Sequence, residues 1–217
     1  MMGNCEVVVK LHYTPGSPFA RIIRVLLREL TIACEETVIV EFPPPEKYFA
    51  VNPLGQVPAL ETAEGLKFPT RVIIDHLMTL PRRRLAPVTL AVRRDEGHWQ
   101  DDQLLFVLLA MGDALAAMKY QVWAGLHQAR ENLLGYDPAV RHRERVLKTL
   151  DWLEARATLE GFLPSALSVQ DIALASIILW IEARGGFPWR GRPKLEAIVQ
   201  RCAGRPSFAA TKPQPWP

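Results

Sequence analysis

Ser17-Pro18-Phe19-Ala20-Arg21 stands between a β-branched run over 7–13 and an apolar-periodic segment over 22–30. The four residues before it, Tyr13-Thr14-Pro15-Gly16, have the composition of a turn, so the chain passes here from strand to helix. Pro18 suits the first helical position, where its missing N–H costs nothing and its φ is already helical. Ser17 is then a candidate N-cap, and such a serine ordinarily accepts a hydrogen bond from the N–H two or three residues on. A hydroxyl at this point also lies beside free helix N–H groups and the positive end of the helix dipole, a setting that favours an anion. A second stretch raises the functional reading above the capping one. It is Asn52-Pro53-Leu54-Gly55-Gln56-Val57-Pro58-Ala59-Leu60, in which Pro58 interrupts what would otherwise open a strand.

Outward from these stretches, the first 80 residues alternate. The pattern predicts a strand over 6–12, a helix over 18–30, a strand over 37–41 and a loop holding Pro43-Pro44-Pro45. Short runs over 59–62 and 66–68, parted by Ala63-Glu64-Gly65, read as a hairpin, and a helix over 69–78 follows. Residues 80–87, with prolines near both ends, read as a linker. Beyond it the pattern is helical throughout. Leu104, Leu108, Met111, Leu115 and Met118 recur at three and four spacing and, with Trp99 five residues ahead of them, predict one long helix with a buried face. Asp137-Pro138 opens the next helix, which carries Val146, Leu150, Leu153 and Ala157. The segment 169–184 is apolar almost all round and should be the central, buried helix; a last short helix covers 193–201. Ser168-Val169-Gln170-Asp171 has the spacing of a reciprocal cap, a structural role for both polar residues. The tail over 211–217 has no packing pattern of its own beyond Trp216, which is expected to dock on the body. Two domains are expected, 1–80 and 88–217, with the linker at 81–87.

Composition bounds the function classes. Hydrophobic residues at 49% and charged residues at 23% describe an ordinary globular protein long enough for a real core. A net charge of +3 is too small to argue for nucleic acid, and the basic cluster Arg82-Arg83-Arg84 reads as a solvated linker. The three cysteines, Cys5, Cys34 and Cys202, lack metal-ligand spacing, and their odd number argues against a disulfide framework. The five histidines have no i,i+4 partner, so no metal is expected. The start, Met1-Met2-Gly3-Asn4-Cys5, departs from a lipidation signal because Val7 stands where Ser or Thr is wanted, and no signal peptide is visible. The longest apolar stretch, 172–181, is well short of the about 20 residues that a membrane span needs. A cytoplasmic protein without nucleic-acid or membrane partners is the expectation.

Three of these motifs resemble those of the soluble glutathione transferases of the bacterial serine type. Ser17-Pro18-Phe19-Ala20-Arg21 is similar to the nucleophile-side motif of that family, the 52–60 stretch to its Val-Pro motif, and Phe68-Pro69-Thr70-Arg71-Val72-Ile73 to its acidic-Ser/Thr helix start. The Ser168 to Asp171 cap resembles an element of the family's helical domain. The resemblance spans nearly the whole chain. It implies an α/β plus all-α fold: a thioredoxin-like N-terminal domain that binds glutathione, then a helical C-terminal domain that supplies the electrophile pocket. It also implies a homodimer, in keeping with two-fold symmetry as the commonest oligomeric state.

Such an enzyme activates the thiol of glutathione as a thiolate and conjugates it to a small hydrophobic electrophile, as in detoxification. A free thiol with pKa about 8.5 is only about 3% ionised at neutral pH; a pKa of about 6.5 makes it roughly three-quarters ionised, for about 2.7 kcal/mol of interaction. One or two hydrogen bonds to the charged sulfur, each about 1.5–3 kcal/mol, supply that. Ser17 is the residue the resemblance assigns to this task, with Tyr13 and Thr14 near enough in sequence to replace it as donor. Serine cannot form a mixed disulfide, so conjugation is expected over thiol–disulfide reduction. If the bond before Pro58 is cis, as in the family, the main chain of Val57 turns to pair with the cysteinyl backbone of glutathione. Thr70 would receive the γ-glutamyl carboxylate at a helix start. Phe19, Gln56 and Arg71 are expected at the edge of the site, and Tyr13, Tyr120 and Trp123 at the acceptor pocket. Pro69 departs from the family, which carries an acidic residue there for the γ-glutamyl ammonium. Its loss is expected to weaken glutathione binding roughly 10- to 150-fold, with the ammonium then met by Glu64, by Asp101 or Asp102 from a second subunit, or by water. This departure supports an alternative, a non-catalytic transferase-like module that binds ligands or recruits partners.

Overall fold

A computed structural model describes residues 9–41, 43–80, 99–126, 137–164 and 166–213. The linker expected at 81–87 and the docking of Trp216 lie outside these residues. The described residues fall into two compact units, one formed by those up to Leu80 together with 202–213, the other by those from Trp99 to Arg201. The last helical segment therefore groups with the N-terminal unit, because its polar side chains find their partners there.

The first unit is a thioredoxin-like layer. A four-stranded sheet in the order β2-β1-β3-β4 is built from β1 (Val9–Tyr13), β2 (Cys34–Val38), β3 (Ala59–Thr62) and β4 (Gly65–Lys67). β1 runs parallel to β2 and antiparallel to β3, and β3 and β4 close the expected hairpin. Helix α1 (Pro18–Glu29) crosses between β1 and β2, and α2 (Thr70–Thr79) follows β4. α1 and α2 pack together, presenting Ile22, Ile23 and Leu26 from one and Ile73, Ile74 and Leu77 from the other, all fully buried, as are Leu11 and Leu60 of the sheet. The repeated i, i+1, i+4 spacing is the helical period that puts these residues on one face.

β2 begins three residues earlier than the 37–41 run suggests. As an edge strand it takes its register from β1, with Val9 opposite Cys34, and leaves Val38 and Val40 exposed. Its polar residue Glu36 is held by three partners, described below. A single-turn 3-10 helix, Glu46–Ala50, lies between β2 and the Val-Pro stretch and was not foreseen.

A short helix α7 (Pro206–Ala209) packs on α1. Glu29 accepts from Arg205 Nε at 2.7 Å and Nη2 at 2.8 Å, and from the Ser207 hydroxyl at 2.5 Å. Burial alone would raise the Glu29 carboxyl, but the Arg205 fork and Ser207 outweigh it and hold it below the ordinary value. Arg21, only 4% exposed, donates from Nη2 to the Phe208 carbonyl at 3.2 Å and lies over the Phe208 ring at 5.1 Å. Burial pushes its guanidinium down to about 10. The last residue of the Ser17 motif is thus an anchor for the C-terminal segment.

The second unit is helical: α3 (Trp99–Trp123), α4 (Pro138–Arg156), α5 (Val169–Glu182) and the greater part of α6 (Pro193–Ala203). α3 packs against α4 and α5. α5 is buried on nearly every side, and its N-terminus carries the expected reciprocal cap: Asp171 N–H donates to Ser168 Oγ at 3.0 Å and Ser168 N–H to Asp171 Oδ2 at 3.0 Å. Asp171 Oδ1 also accepts from Phe162 N–H at 3.0 Å, which ties the preceding loop to the helix. Leu104, Leu108, Met111 and Leu115 form the buried stripe of α3, but Trp99 at its start is 63% exposed. α3 is long and apolar enough, by length and composition, to cross a membrane, with 33% of its most apolar window buried. Asp113 and Lys119 punctuate its apolar sequence.

Two stability effects follow. Ser168→Ala removes the α5 cap at a buried helix end and is expected to cost about 1–2 kcal/mol, lowering the melting temperature by roughly 2–8 °C; an unchanged melt in scanning calorimetry would contradict this. Glu29→Gln breaks a buried pair that Arg205 enters from partial solvent exposure, and at neutral pH roughly 3 kcal/mol is expected to be lost, the low end of the range for such removals. Because the folded Glu29 pKa is depressed, its contribution is present above the unfolded pKa and is lost as pH falls through the folded one. Urea denaturation from pH 7 down to the onset of acid unfolding checks this: the gap between wild type and variant should narrow as pH falls below the ordinary carboxylate value, and a constant gap would refute it.

Candidate functional site

The sheet register brings the three sequence motifs to one end of the first unit. β1 ends at Tyr13, four residues before Ser17, and pairs antiparallel with β3 so that His12 lies opposite Ala59. Val57 and Pro58, which immediately precede Ala59, therefore emerge beside the end of β1. β4 in turn is antiparallel to β3, with Lys67 opposite Leu60, so Phe68, Pro69 and Thr70 leave the sheet at the same end.

Ser17 caps α1. Its Oγ accepts from Ala20 N–H at 3.2 Å, its carbonyl accepts from Arg21 N–H at 3.1 Å, and its own N–H donates to the Thr14 carbonyl at 3.0 Å. The hydroxyl proton has no acceptor among the described residues, and the side chain is half-buried. The two neighbouring hydroxyls differ. Thr14 Oγ1 donates to the Ile39 carbonyl at 3.0 Å. Tyr13, buried, donates its phenol to Glu36 Oε2 at 2.7 Å, and the Arg24 guanidinium lies 4.3 Å from its ring centroid. Burial first, then the Glu36 bond, push the Tyr13 phenol above its ordinary value. Burial would also raise Glu36, but Tyr13, Arg24 and Arg28 hold this carboxyl below its ordinary value. The phenol of Tyr13 thus points to the β2 side of the unit.

The Val57–Pro58 peptide is cis, and so is Phe68–Pro69, which the sequence does not signal. The N–H and C=O of half-buried Val57 have no hydrogen-bond partner among the described residues, whereas the residue before it is firmly held. The carbonyl of exposed Gln56 accepts from Tyr48 Oη at 3.0 Å and from Asn52 Nδ2 at 2.6 Å. Neither Tyr48 nor Asn52 was singled out in the sequence. The usable signal was Asn52-Pro53-Leu54-Gly55, whose asparagine Oδ1 takes the Leu54 N–H at 3.0 Å in an Asx turn, with Gly55 at φ +61° closing it.

At α2, Pro69 occupies the cap position with no side-chain hydrogen bond to the helix, and Thr70 is the first helical residue, buried, its hydroxyl without a partner among the described residues. Arg71 pairs with Asp75 at 3.0 Å, one turn on. Glu64 lies 3.4 Å from Lys67 Nζ and 3.7 Å from His76 Nδ1. Phe19 is half-buried in the first turn of α1. Tyr120 and Trp123 belong to the second unit, where their rings make an edge contact at 5.6 Å and both are partly exposed. Among the described residues no group of three or more His, Cys, Asp or Glu is arranged to hold a metal ion.

Two family models match the chain: the glutathione S-transferase N-terminal domain over residues 11–84 and the glutathione S-transferase C-terminal domain over 113–201. Among curated proteins, an uncharacterized GST-like protein, YibF of Escherichia coli K12, is 28% identical over 94% of this chain and 98% of its own length. The FtsZ-localized protein A of Caulobacter vibrioides is 27% identical over 95% of this chain and 92% of its own. Among solved structures, a glutathione transferase family member from Pseudomonas fluorescens Pf-5 with bound glutathione shares 25% identity at a TM-score of 0.73, covering 95% of this chain and all of that one. A glutathione S-transferase from Methylobacillus flagellatus, also with glutathione bound, has a TM-score of 0.72 at 24% identity and likewise covers 95% of this chain. With one model on the strand-and-hairpin half, the other on the helices, and relatives that run the length of both, this chain belongs to the glutathione S-transferase family.

Proposed function

We propose that the protein is a glutathione transferase of the serine type, in which the Ser17 hydroxyl donates a hydrogen bond to the thiolate of glutathione and the thiolate attacks a small hydrophobic electrophile. The observation that carries this reading is the division of labour among three adjacent hydroxyls. Tyr13 and Thr14 donate inward, to Glu36 and to the Ile39 carbonyl. Ser17 uses its oxygen as an acceptor for the helix, which orients the group and leaves the proton to be donated. The helix amide that Ser17 accepts polarises the hydroxyl and makes it a better donor. The α1 N-terminus adds its own positive partial charge at the same point.

The remaining roles follow the same end of the sheet. Val57 presents an unpaired N–H and C=O that suit the main chain of a peptide bound as an added strand. Thr70 and the first N–H groups of α2 suit a carboxylate. Gln56 and Phe19 lie at the edge, and Arg71 serves its helix through Asp75 rather than the ligand. Tyr120 and Trp123 are proposed for the electrophile's pocket on the strength of their exposed aromatic surface. A cytoplasmic homodimer is part of the reading; Cys34 and Cys202 form no disulfide among the described residues, in keeping with a reducing compartment.

Pro69 supports a second reading, a transferase-like module that recruits a partner and binds glutathione weakly. It caps α2 without a side-chain bond and brings no carboxylate to the ammonium, and the nearest acidic residue in sequence, Glu64, is already engaged by Lys67. The relative from Caulobacter is named for its localization with FtsZ rather than for a reaction.

The pH profile of conjugation with a chromogenic aryl halide tests the first reading. Wild type should show a thiolate pKa of about 6.5, and Ser17→Ala should move it to about 8.5 with a loss of rate on the order of 10- to 100-fold at neutral pH. Ser17→Thr keeps both cap and donor and should retain most of the rate. A Ser17→Ala profile that overlays wild type would refute the assignment. Pro69→Glu separates the two readings: about a tenfold or greater gain in glutathione affinity, measured by calorimetry, would mark a weakened binding site, and no gain would show that the ammonium is already met by another group.

A further inference from the structure

The strongest unassigned arrangement in the first unit is the pair of buried donors behind the Val-Pro loop. Tyr48 is 3% exposed and Asn52 1%, and both aim at a single acceptor, the Gln56 carbonyl, at 3.0 and 2.6 Å. A buried asparagine is costly unless its groups are met, and here each is engaged: Nδ2 donates to Gln56, and Oδ1 takes the Leu54 N–H. The two residues are also joined to each other and to the loop through the main chain. Asn52 N–H donates to the Tyr48 carbonyl at 3.0 Å, and Gly55 N–H to the Asn52 carbonyl at 2.9 Å. The ring of Phe49 closes the remaining space, since a Cβ at Gly55 would meet it at 2.8 Å.

We infer that Tyr48 and Asn52 are positioning residues: by clamping the Gln56 carbonyl from two directions they fix the orientation of the Val57 peptide, whose own N–H and C=O stay unpaired for a ligand's main chain. The carbonyl they hold belongs to the same peptide unit as the Val57 N–H, so fixing one atom fixes the other. Two donors on one carbonyl define its direction, where a single bond would leave it free to swing. The Tyr48 ring is seated against the sheet, with its centroid 6.3 Å from that of His12, whose Nε2 lies 2.5 Å from Glu61 Oε1. The clamp is therefore referenced to β1 and β3, the strands that also set the position of Ser17. Burial pushes the Tyr48 phenol up to about 12, which keeps its proton in place over the working pH range.

The use of the clamp for binding rests on the transferase reading; the clamp itself does not, and the test separates them. Tyr48→Phe removes one hydroxyl and keeps the ring, so the protein should still fold and melt close to wild type. Asn52→Asp is a second variant: its oxygens still accept from Leu54, but its side chain no longer donates to Gln56, which keeps only the Tyr48 bond. In the ligand-free protein, the backbone order parameter of the Val57 amide by nuclear magnetic resonance should fall from about 0.85 in wild type to about 0.6 or lower in Tyr48→Phe. Glutathione affinity by calorimetry should fall about tenfold, the loss of roughly one net hydrogen bond. KM for glutathione should rise by the same factor, while kcat at saturation and the thiolate pKa hold, unlike in Ser17→Ala. Tyr48→Phe with a wild-type order parameter would overturn the clamp, as would a drop in order with unchanged affinity for its role in binding. If wild type binds no glutathione, the transferase reading fails and the order parameter alone decides the clamp.

Discussion

The antiparallel pairing of β1 with β3 is the constraint on which the rest of the site depends. It sets Ala59 opposite His12, and so fixes the Val57–Pro58 peptide beside the point where β1 gives way to the Ser17 turn. Strand side chains have a period of two, so a slip of one residue would put Leu11 and Leu60 on the wrong face of the sheet, and both are fully buried. The hydrophobic core therefore defends the register, and the register places the polar groups. The β3–β4 hairpin carries the same discipline one strand further, to Thr70.

Electrostatics then sort neighbouring groups of like chemistry into different tasks. Glu36 is a carboxylate beside two guanidiniums, Arg24 and Arg28, and draws the Tyr13 proton toward β2. Without that carboxylate the buried phenol would be the stronger donor at the end of β1. With it, the serine one turn later is the hydroxyl whose proton is left to give. Arg21, in the same motif, turns away from this end altogether and holds the C-terminal segment by the Phe208 carbonyl. A five-residue motif thus serves both the capping of α1 and the anchoring of a segment nearly two hundred residues away.

Much of this was legible in the chain. The Pro18 start of α1, the 59–62 strand, the Ser168–Asp171 reciprocal cap and the cis peptide at Pro58 rest on local rules or on short motifs whose neighbours in sequence are also their neighbours in space. What was not legible depends on distant partners. β2 takes its register from β1 and not from its own β-branched run. Residues 202–213 join the N-terminal unit because Glu29 and Arg21 hold Arg205, Ser207 and Phe208, and no local pattern signals a bond spanning 176 positions. Trp99 stands five residues before Leu104, off the three-and-four spacing of the stripe, and sits exposed in the first turn of α3. Tyr48 was passed over because its 3-10 turn is too short to have a period. Asn52 reads as an ordinary turn residue until the Gln56 carbonyl is seen.

The most direct measurement is a calorimetric titration of glutathione into the wild-type protein. Submillimolar, one-to-one binding accompanied by ultraviolet absorbance of the thiolate at neutral pH is the expected result, because a polarised hydroxyl, an unpaired strand edge and a helix start converge at one end of the sheet. Absence of binding at several millimolar would contradict it and leave the fold serving as a recruiting module.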